Sequence, residues 1–156
     1  MPSNNPNQTI PTSLAPVIPS FTPQIQSPAF SNPINEVIVP VIYPTGARTL
    51  TPSDLNSGFV IQAANTAQTD TLPTAASLVP LIPGANLNTA IFFTIRNTGS
   101  ATLTIAVGAG GTANSGDTLT IATLNQRAFM LIVTNLGDAL GVGATYTLYS
   151  LGALTF

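Results

Sequence analysis

Eight side chains in this sequence carry a formal charge: Arg48, Arg96 and Arg127 against Glu36, Asp54, Asp70, Asp117 and Asp138. Histidine, cysteine and lysine are absent. Without histidine or cysteine the commonest general base, the thiol nucleophile and nearly every zinc or copper site are removed. A carboxylate pair could still run glycoside hydrolysis, one member as acid and the other as base or nucleophile. The acids are scattered, however, and four sit in the turn-like contexts PSDL, QTDT, SGDT and LGDA. Asp in a turn usually bonds its own backbone. Calcium wants several oxygen ligands at close spacing, and no Asp-x-Asp cluster exists. No catalytic residue, cofactor or metal ligand is therefore expected, and the chain is read as a non-enzyme.

Two further patterns invite chemistry. Gly108-Ala109-Gly110-Gly111 has the glycine density of a phosphate loop, but such a loop opens a helix and carries a Lys, and here it leads toward another strand. Thr-x-Thr recurs at Thr49–Thr51, Thr102–Thr104 and Thr118–Thr120. An ice-binding face would need these pairs in a regular array, whereas their spacing fits the outward sides of alternating strands. The sequon Asn7-Gln8-Thr9 has no export signal in front of it and is read as chance.

Charge is the unusual quantity. Charged residues make up 5% of the chain, against roughly 25% in an ordinary soluble domain. Thr, Asn, Ser and Gln do the polar work, and they cost less to desolvate than charges do. That suits surfaces that end up against other protein, since so little charge gives a lone monomer weak protection from self-association. Three arginines and a net charge of −2 cannot neutralise many phosphates, so nucleic acid is not an expected partner. No run approaches 18 apolar residues, so no membrane span is expected, and MPSNNPNQTIPTSL lacks the basic start and apolar core of a secretory signal.

The elements that must position any surface fall into two regions. Nine of the fourteen prolines lie in residues 1–40, and none follows Pro83. Prolines every four to five residues remove donors and push each preceding residue out of the α region. Residues 1–33 are therefore expected to form an extended arm, with Ile10, Leu14, Val17, Ile18, Phe21, Ile25 and Phe30 spaced between the prolines to enter pockets of a neighbouring subunit. Residues 34–156 are expected to form one all-β domain. Strands are predicted at Ile34–Tyr43, Gly58–Ala64, Ala90–Asn97, Ala101–Val107, Thr118–Ala122, Arg127–Thr134 and Ala144–Ser150. Asn97-Thr98-Gly99-Ser100 reads as a hairpin turn. Thr51 is a candidate helix cap with Pro52 at the first position, and Thr74–Val79 is a second helical turn cut short by Pro73 and Pro80.

Short strands with turn signals between them predict an antiparallel β-sandwich, jelly-roll-like, with a proline-rich N-terminal arm. No repeat of fixed period is evident. The expected core is Phe93, Ile95, Leu103, Ile105, Ile121, Phe129, Leu131, Val133 and Leu148, which leaves Phe92, Met130, Ile132 and Tyr149 facing outward.

From Arg48 to Gly152 the motifs run Arg48-Thr49-Leu50-Thr51, Ser57-Gly58, Thr71-Leu72-Pro73-Thr74-Ala75-Ala76, Ile82-Pro83-Gly84-Ala85, Phe93-Thr94-Ile95-Arg96-Asn97 and Ala101-Thr102-Leu103-Thr104-Ile105. They close with Arg127-Ala128-Phe129 and Tyr146-Thr147-Leu148-Tyr149. This order resembles a β-rich module of virion proteins in tailed phages and large double-stranded DNA viruses: head-decoration, fibre and minor-capsid components. The resemblance spans about two-thirds of the chain and leaves out the arm. It implies a minor capsid or capsid-decoration protein, assembled in the host cell and located in the virion. Its implied partners are other capsid proteins, the major capsid protein above all, and copies of itself, a trimer by analogy with decoration proteins. A viral or cell-surface adhesin that binds glycan through Gly108–Gly116 and Asn135–Gly143 is the alternative, although no Trp is present to stack on a sugar.

Overall fold

The computed structural model describes residues 39–155, which belong to one unit, Val37–Phe156. In chain order the described elements are β1 (Val41–Tyr43), α1 (Pro52–Asn56), β2 (Phe59–Gln62), β3 (Gln68–Thr71), α2 (Ala75–Leu78) with a 3-10 turn at Val79–Leu81, β4 (Ala90–Asn97), β5 (Leu103–Ala106), β6 (Gly111–Ala113), β7 (Thr120–Ile121), β8 (Asn125–Asn135) and β9 (Thr145–Thr155). Six strands form one sheet in the order β1-β2-β4-β8-β9-β6, and three form another in the order β3-β5-β7.

The two helices begin where the sequence marks them. Thr51 Oγ1 accepts from Asp54 N, and Asp54 Oδ2 accepts from Thr51 N at 2.7 Å, a reciprocal capping box with Pro52 in the first turn. Thr74 caps α2 by accepting from Ser77 N. Neither helix exceeds two turns.

The chain makes the same bend three times. Residues 59–75 leave the six-stranded sheet as β2 and enter the three-stranded sheet as β3; residues 94–110 follow the same course as β4 and β5. The two passes lie parallel at a constant offset of 35 residues, with Phe59 opposite Thr94 and Gln68 opposite Leu103. The stacking continues beyond β3, where Leu72 N donates to Ala106 O and Ala75 N to Ala109 O, both at 2.8 Å. An earlier pass, residues 41–50, stacks on the second: β1 pairs parallel with β2, and Leu50 N and Thr71 N exchange bonds with Thr71 O and Arg48 O.

At the bend, one cross-strand row holds Tyr43, Gln62 and Asn97. Each amide there serves the pass beside it. Gln62 Nε2 donates to Pro44 O and Gly46 O at 3.2 and 3.1 Å. Asn97 Oδ1 accepts from Ala64 N and Gly99 N, while its Nδ2 donates to Ala101 O, Ile121 O and Ala122 O. A Cβ on Gly99 would collide with the Ala64 backbone, so the third pass can sit this close only with glycine at that position.

Two expectations are corrected here. Asn97–Ser100 is not a hairpin, because β4 and β5 lie in different sheets; the Asn97 side chain takes the bonds that a hairpin partner strand would have taken. The sheets are mixed rather than antiparallel throughout. β4–β8–β9 and β5–β7 are antiparallel, whereas β1–β2–β4, β3–β5 and β6–β9 are parallel. Parallel neighbours need long connections, and α1 and α2 lie in two of them. Strand Gln68–Thr71 has no apolar side chain and Gly111–Ala113 lies in the glycine-rich loop, so neither was marked by apolar alternation.

Both sheets and both helices contribute to one hydrophobic cluster. All nine expected core residues are buried in it, joined by Leu50, Leu55, Val60, Leu72, Leu78 and Tyr146. Phe93 and Phe129, cross-strand partners, stack with ring centroids 5.5 Å apart. Replacing Phe129 by Ala is expected to cost about 3–5 kcal/mol. Asn97→Ala leaves the buried amides of Ala64 and Gly99 without their side-chain acceptor, at about 1–3 kcal/mol each. Chemical denaturation of both variants checks this; an Asn97→Ala protein with the wild-type midpoint would show that the bend does not depend on the amide.

Candidate functional site

Ile10, Leu14, Val17, Ile18, Phe21, Ile25 and Phe30 lie outside the described residues. The acids within them are all engaged with backbone N–H groups. Asp54 closes the α1 cap, and Asp138 Oδ1 accepts from Leu140 N and Val142 N within its own loop. Asp70 and Asp117 act at longer range, accepting from Arg48 N and from Ser150 N. Among the described residues no group of acids is arranged to hold a metal ion, and no helix is long and apolar enough to cross a membrane.

Charge concentrates at the first bend. The Arg48 guanidinium lies 4.0 Å above the Tyr43 ring and donates to Pro44 O and Gly46 O. Tyr43 Oη donates to Asp54 Oδ1 at 2.8 Å. Burial, the Asp54 hydrogen bond and the Asp54 charge raise the Tyr43 phenol, and the Arg48 charge opposes them. Asp70 is almost wholly buried, and burial raises its carboxyl above the usual carboxylate range; the Arg48 N–H bond, the Arg48 charge and Gln68 oppose that shift. These groups tie the first pass to the second.

The two loops set apart by their glycines meet. Ala109 and Gly110 from one, and Gly141, Gly143 and Ala144 from or beside the other, border a cleft of 460 Å³ together with Thr74, Ala76 and Thr145. The glycines serve backbone contact more than ligand access. A Cβ on Gly110 would press on Ala144 O and the Ala75 methyl, and one on Gly141 would press on Ala76 O and Pro80. Beneath them Tyr146 Oη accepts from Gly108 N and donates to Pro73 O, each at 3.0 Å, so one phenol ties three chain segments together. Burial raises that phenol too. The second loop also carries two large exposed apolar side chains, Leu140 and Val142.

The broadest feature is the outer face of the six-stranded sheet. Cross-strand register gives four rows of outward side chains: Ala90–Ile132–Thr147–Thr112, Phe92–Met130–Tyr149, Phe59–Thr94–Ala128–Gly152, and Ile42–Ile61–Arg96–Gln126. Phe92 is 61% exposed and Ile42 68%. Arg96 is the one formal charge in these rows. Both helices lie on the opposite side, Leu55 and Leu78 sitting in the core, so neither covers this face. Phe92, Met130, Ile132 and Tyr149 were expected to face outward from strand alternation. Ile42, Phe59 and Ile61 join them only once β1 and β2 are placed beside β4, which local alternation does not reveal.

No protein-family model matches this chain, and neither a curated protein nor a solved structure matches it.

The raised Asp70 carboxyl gives a pH dependence with a definite sign. Below neutrality the folded protein takes up this proton before the unfolded chain does, so the contribution of Asp70 to stability rises as pH falls. Asp70→Asn, neutral at every pH and still able to accept from Arg48 N, is expected to be more stable than wild type at pH 7, with the gap narrowing toward pH 4. Denaturant midpoints of both proteins at the two pH values check it; a variant less stable at pH 7 and equal at pH 4 would mean that the Arg48 charge outweighs burial.

Proposed function

We propose that this chain is a non-catalytic structural protein of a virus particle, a minor capsid or capsid-decoration component that packs against other capsid subunits. The observation that carries the reading is the outer face of the six-stranded sheet, broad, largely apolar and bearing a single formal charge. Such a face gains more by meeting protein than by staying in water. The order of motifs from Arg48 to Gly152 supplies the viral part of the proposal. Its two-sheet body is read as a β-sandwich, jelly-roll-like in enclosing one core, with the parallel passes as its own variation.

Residues 1–33 act as an extended arm that docks on a neighbouring capsid subunit, the major capsid protein foremost, through Ile10, Leu14, Val17, Ile18, Phe21, Ile25 and Phe30. Each proline ring fixes φ in advance, which lowers the entropy lost on docking. The arm carries no charged side chain, so its binding depends little on ionic strength. The alternative, a glycan-binding adhesin, has one feature in its favour, the cleft shared by the two loops. The residues lining that cleft include no aromatic ring on which a sugar could stack, and the capsid reading is preferred.

Mass spectrometry and cryo-microscopy of purified particles test the location directly, and absence of the chain from particles would end the proposal. Deletion of residues 1–33 is expected to leave the β body folded, by circular dichroism, and to abolish its incorporation into particles. Normal occupancy of the truncated protein would show that the arm is only a tail.

A further inference from the structure

We propose that the outer edge of β9 from Leu151 to Thr155 pairs with the same segment of a second copy, antiparallel, about a two-fold axis at Ala153. The pairing is a property of the chain itself and goes beyond the question of where the protein resides.

The other sheet edges are closed in different ways. Ala63 N donates to Tyr43 O, so Tyr43 bonds toward β2 and Ile42 turns its backbone outward. Pro40 and Pro44, two residues to either side of Ile42, have no N–H to offer a further strand. β3 is covered by the first pass, through Leu50 N, Thr71 N and the side chains of Gln68 and Asp70. On β7, Arg127 Nε donates to Thr120 O. β6 is three residues long, and so short an edge offers little to pair with.

β9 is closed for only part of its length. β6 pairs with it at Tyr146–Leu148, Asn114 N donates to Leu148 O, and Ser150 N donates to Asp117 Oδ2. Among the described residues nothing bonds that side past Ser150. The register with β8 then slips by one residue at Leu151, beside Gly152 with its φ of 126°, and the slip decides which groups face out. Val133 N donates to Thr89 O and Val133 O accepts from Asn88 N, so odd-numbered residues of β8 bond toward β4, and Ala128 and Gln126 bond toward β9. Their partners Gly152 and Leu154 bond back to β8, which leaves Ala153 and Thr155 with N–H and C=O on the free edge. Solvent reaches this edge: Leu151 is 53% exposed, and Gly152 and Ala153 are exposed as well.

Composition chooses the occupant. Residues 149–155, YSLGALT, contain no charge and no proline, as in segments that pair with their own kind. Residues 1–33 have no proline-free run longer than four residues, so a strand from the arm loses a donor before it has matched five positions. Antiparallel pairing about Ala153 sets Leu151 of each copy opposite Thr155 of the other, and the two Ala153 residues exchange both their N–H···O bonds. Five positions at about 3.4 Å span roughly 17 Å, a contact at the low end of interface size, so association is weak and concentration-dependent. A two-fold axis engages the edge of both copies at once, so the pairing closes at two and does not propagate.

Sedimentation of the full chain from about 1 to 500 µM is expected to show a concentration-dependent dimer. As it forms, the amides of Ala153 and Thr155 are expected to slow in hydrogen exchange, read by NMR. Ala153→Pro removes an outward N–H and no bond to β8; it is expected to keep the thermal melt of the dilute wild type and to raise the dissociation constant at least about a hundredfold. Ala153→Lys and Ala153→Asp keep the backbone donor and provide a second route should the proline disturb folding. Each alone puts like charges across the axis and is expected to weaken the dimer at least about tenfold; mixed one to one, they are expected to recover it as a heterodimer. A monomeric wild type, a trimer, or a folded Ala153→Pro protein that remains dimeric would overturn the inference. Lys and Asp variants that fail to recover on mixing would place a different strand, such as the arm, at this edge and overturn it equally.

Discussion

Three passes of chain run side by side through one bend, and the bend is possible because Gln62 and Asn97 point their amides at the neighbouring pass. When a strand leaves one sheet for another, its backbone N–H and C=O groups lose their ladder partners while still buried, and a buried polar group without a partner is costly. Asn97 alone makes five bonds at this point, to Ala64, Gly99, Ala101, Ile121 and Ala122. Gln68 and Asp70 extend the pattern one strand further, with Gln68 Oε1 accepting from Gly46 N and Asp70 Oδ1 from Arg48 N. Gln62, Gln68 and Asp70 thus satisfy backbone of the earlier pass, while Asn97 serves the earlier pass at Ala64, its own pass at Gly99 and Ala101, and the later segment at Ile121 and Ala122. The core of both sheets can close around Phe93 and Phe129 only because these corners are satisfied.

The same economy of charge governs inside and outside. Among the described residues, amides, hydroxyls and single carboxylates bond backbone groups at positions where many proteins place charges. Arg127 is typical: its Nε donates to Thr120 O and its Nη1 to Ser150 Oγ, which links β8 to the other sheet without an acid. Amides and hydroxyls keep their hydrogen bonds at any ionic strength and cost less to bury than ions. An exterior built on these terms is poorly defended against contact, and the outer sheet face is where that shows most.

Much of this was legible in the sequence. Period-two alternation in Ala90–Asn97 and Arg127–Thr134 reports one face of a half-buried strand, so the inward residues of β4 and β8 follow directly, as do the capped helical turns at Thr51 and Thr74. Pairing was less accessible, because alternation is blind to which strand lies beside which. The stacked passes escaped notice for a physical reason: at an offset of 35 residues the needed matches are Val60 with Ile95, Gln62 with Asn97 and Ala64 with Gly99. These are chemically alike and differently spelled, and a third pass at a different offset conceals the period. Asp70 misled through its turn-like surroundings, being a buried strand residue that serves a backbone 22 positions away. For the outer surface, the residues of β4, β8 and β9 were readable and those of β1 and β2 were not.

Stacking each pass on the next also imposes an order in time. Gln62 O and the N–H and C=O of Ala64 lack their partners until Asn97 to Ala101 exist, some 35 residues later, and at ribosomal rates of about 5–20 residues per second that is a wait of roughly 2–7 s. Contacts so distant in sequence also raise contact order, which slows folding of the released chain. The nascent protein therefore emerges with half-made corners and unpaired strand edges, a state that attracts other chains. Low charge leaves little to repel them.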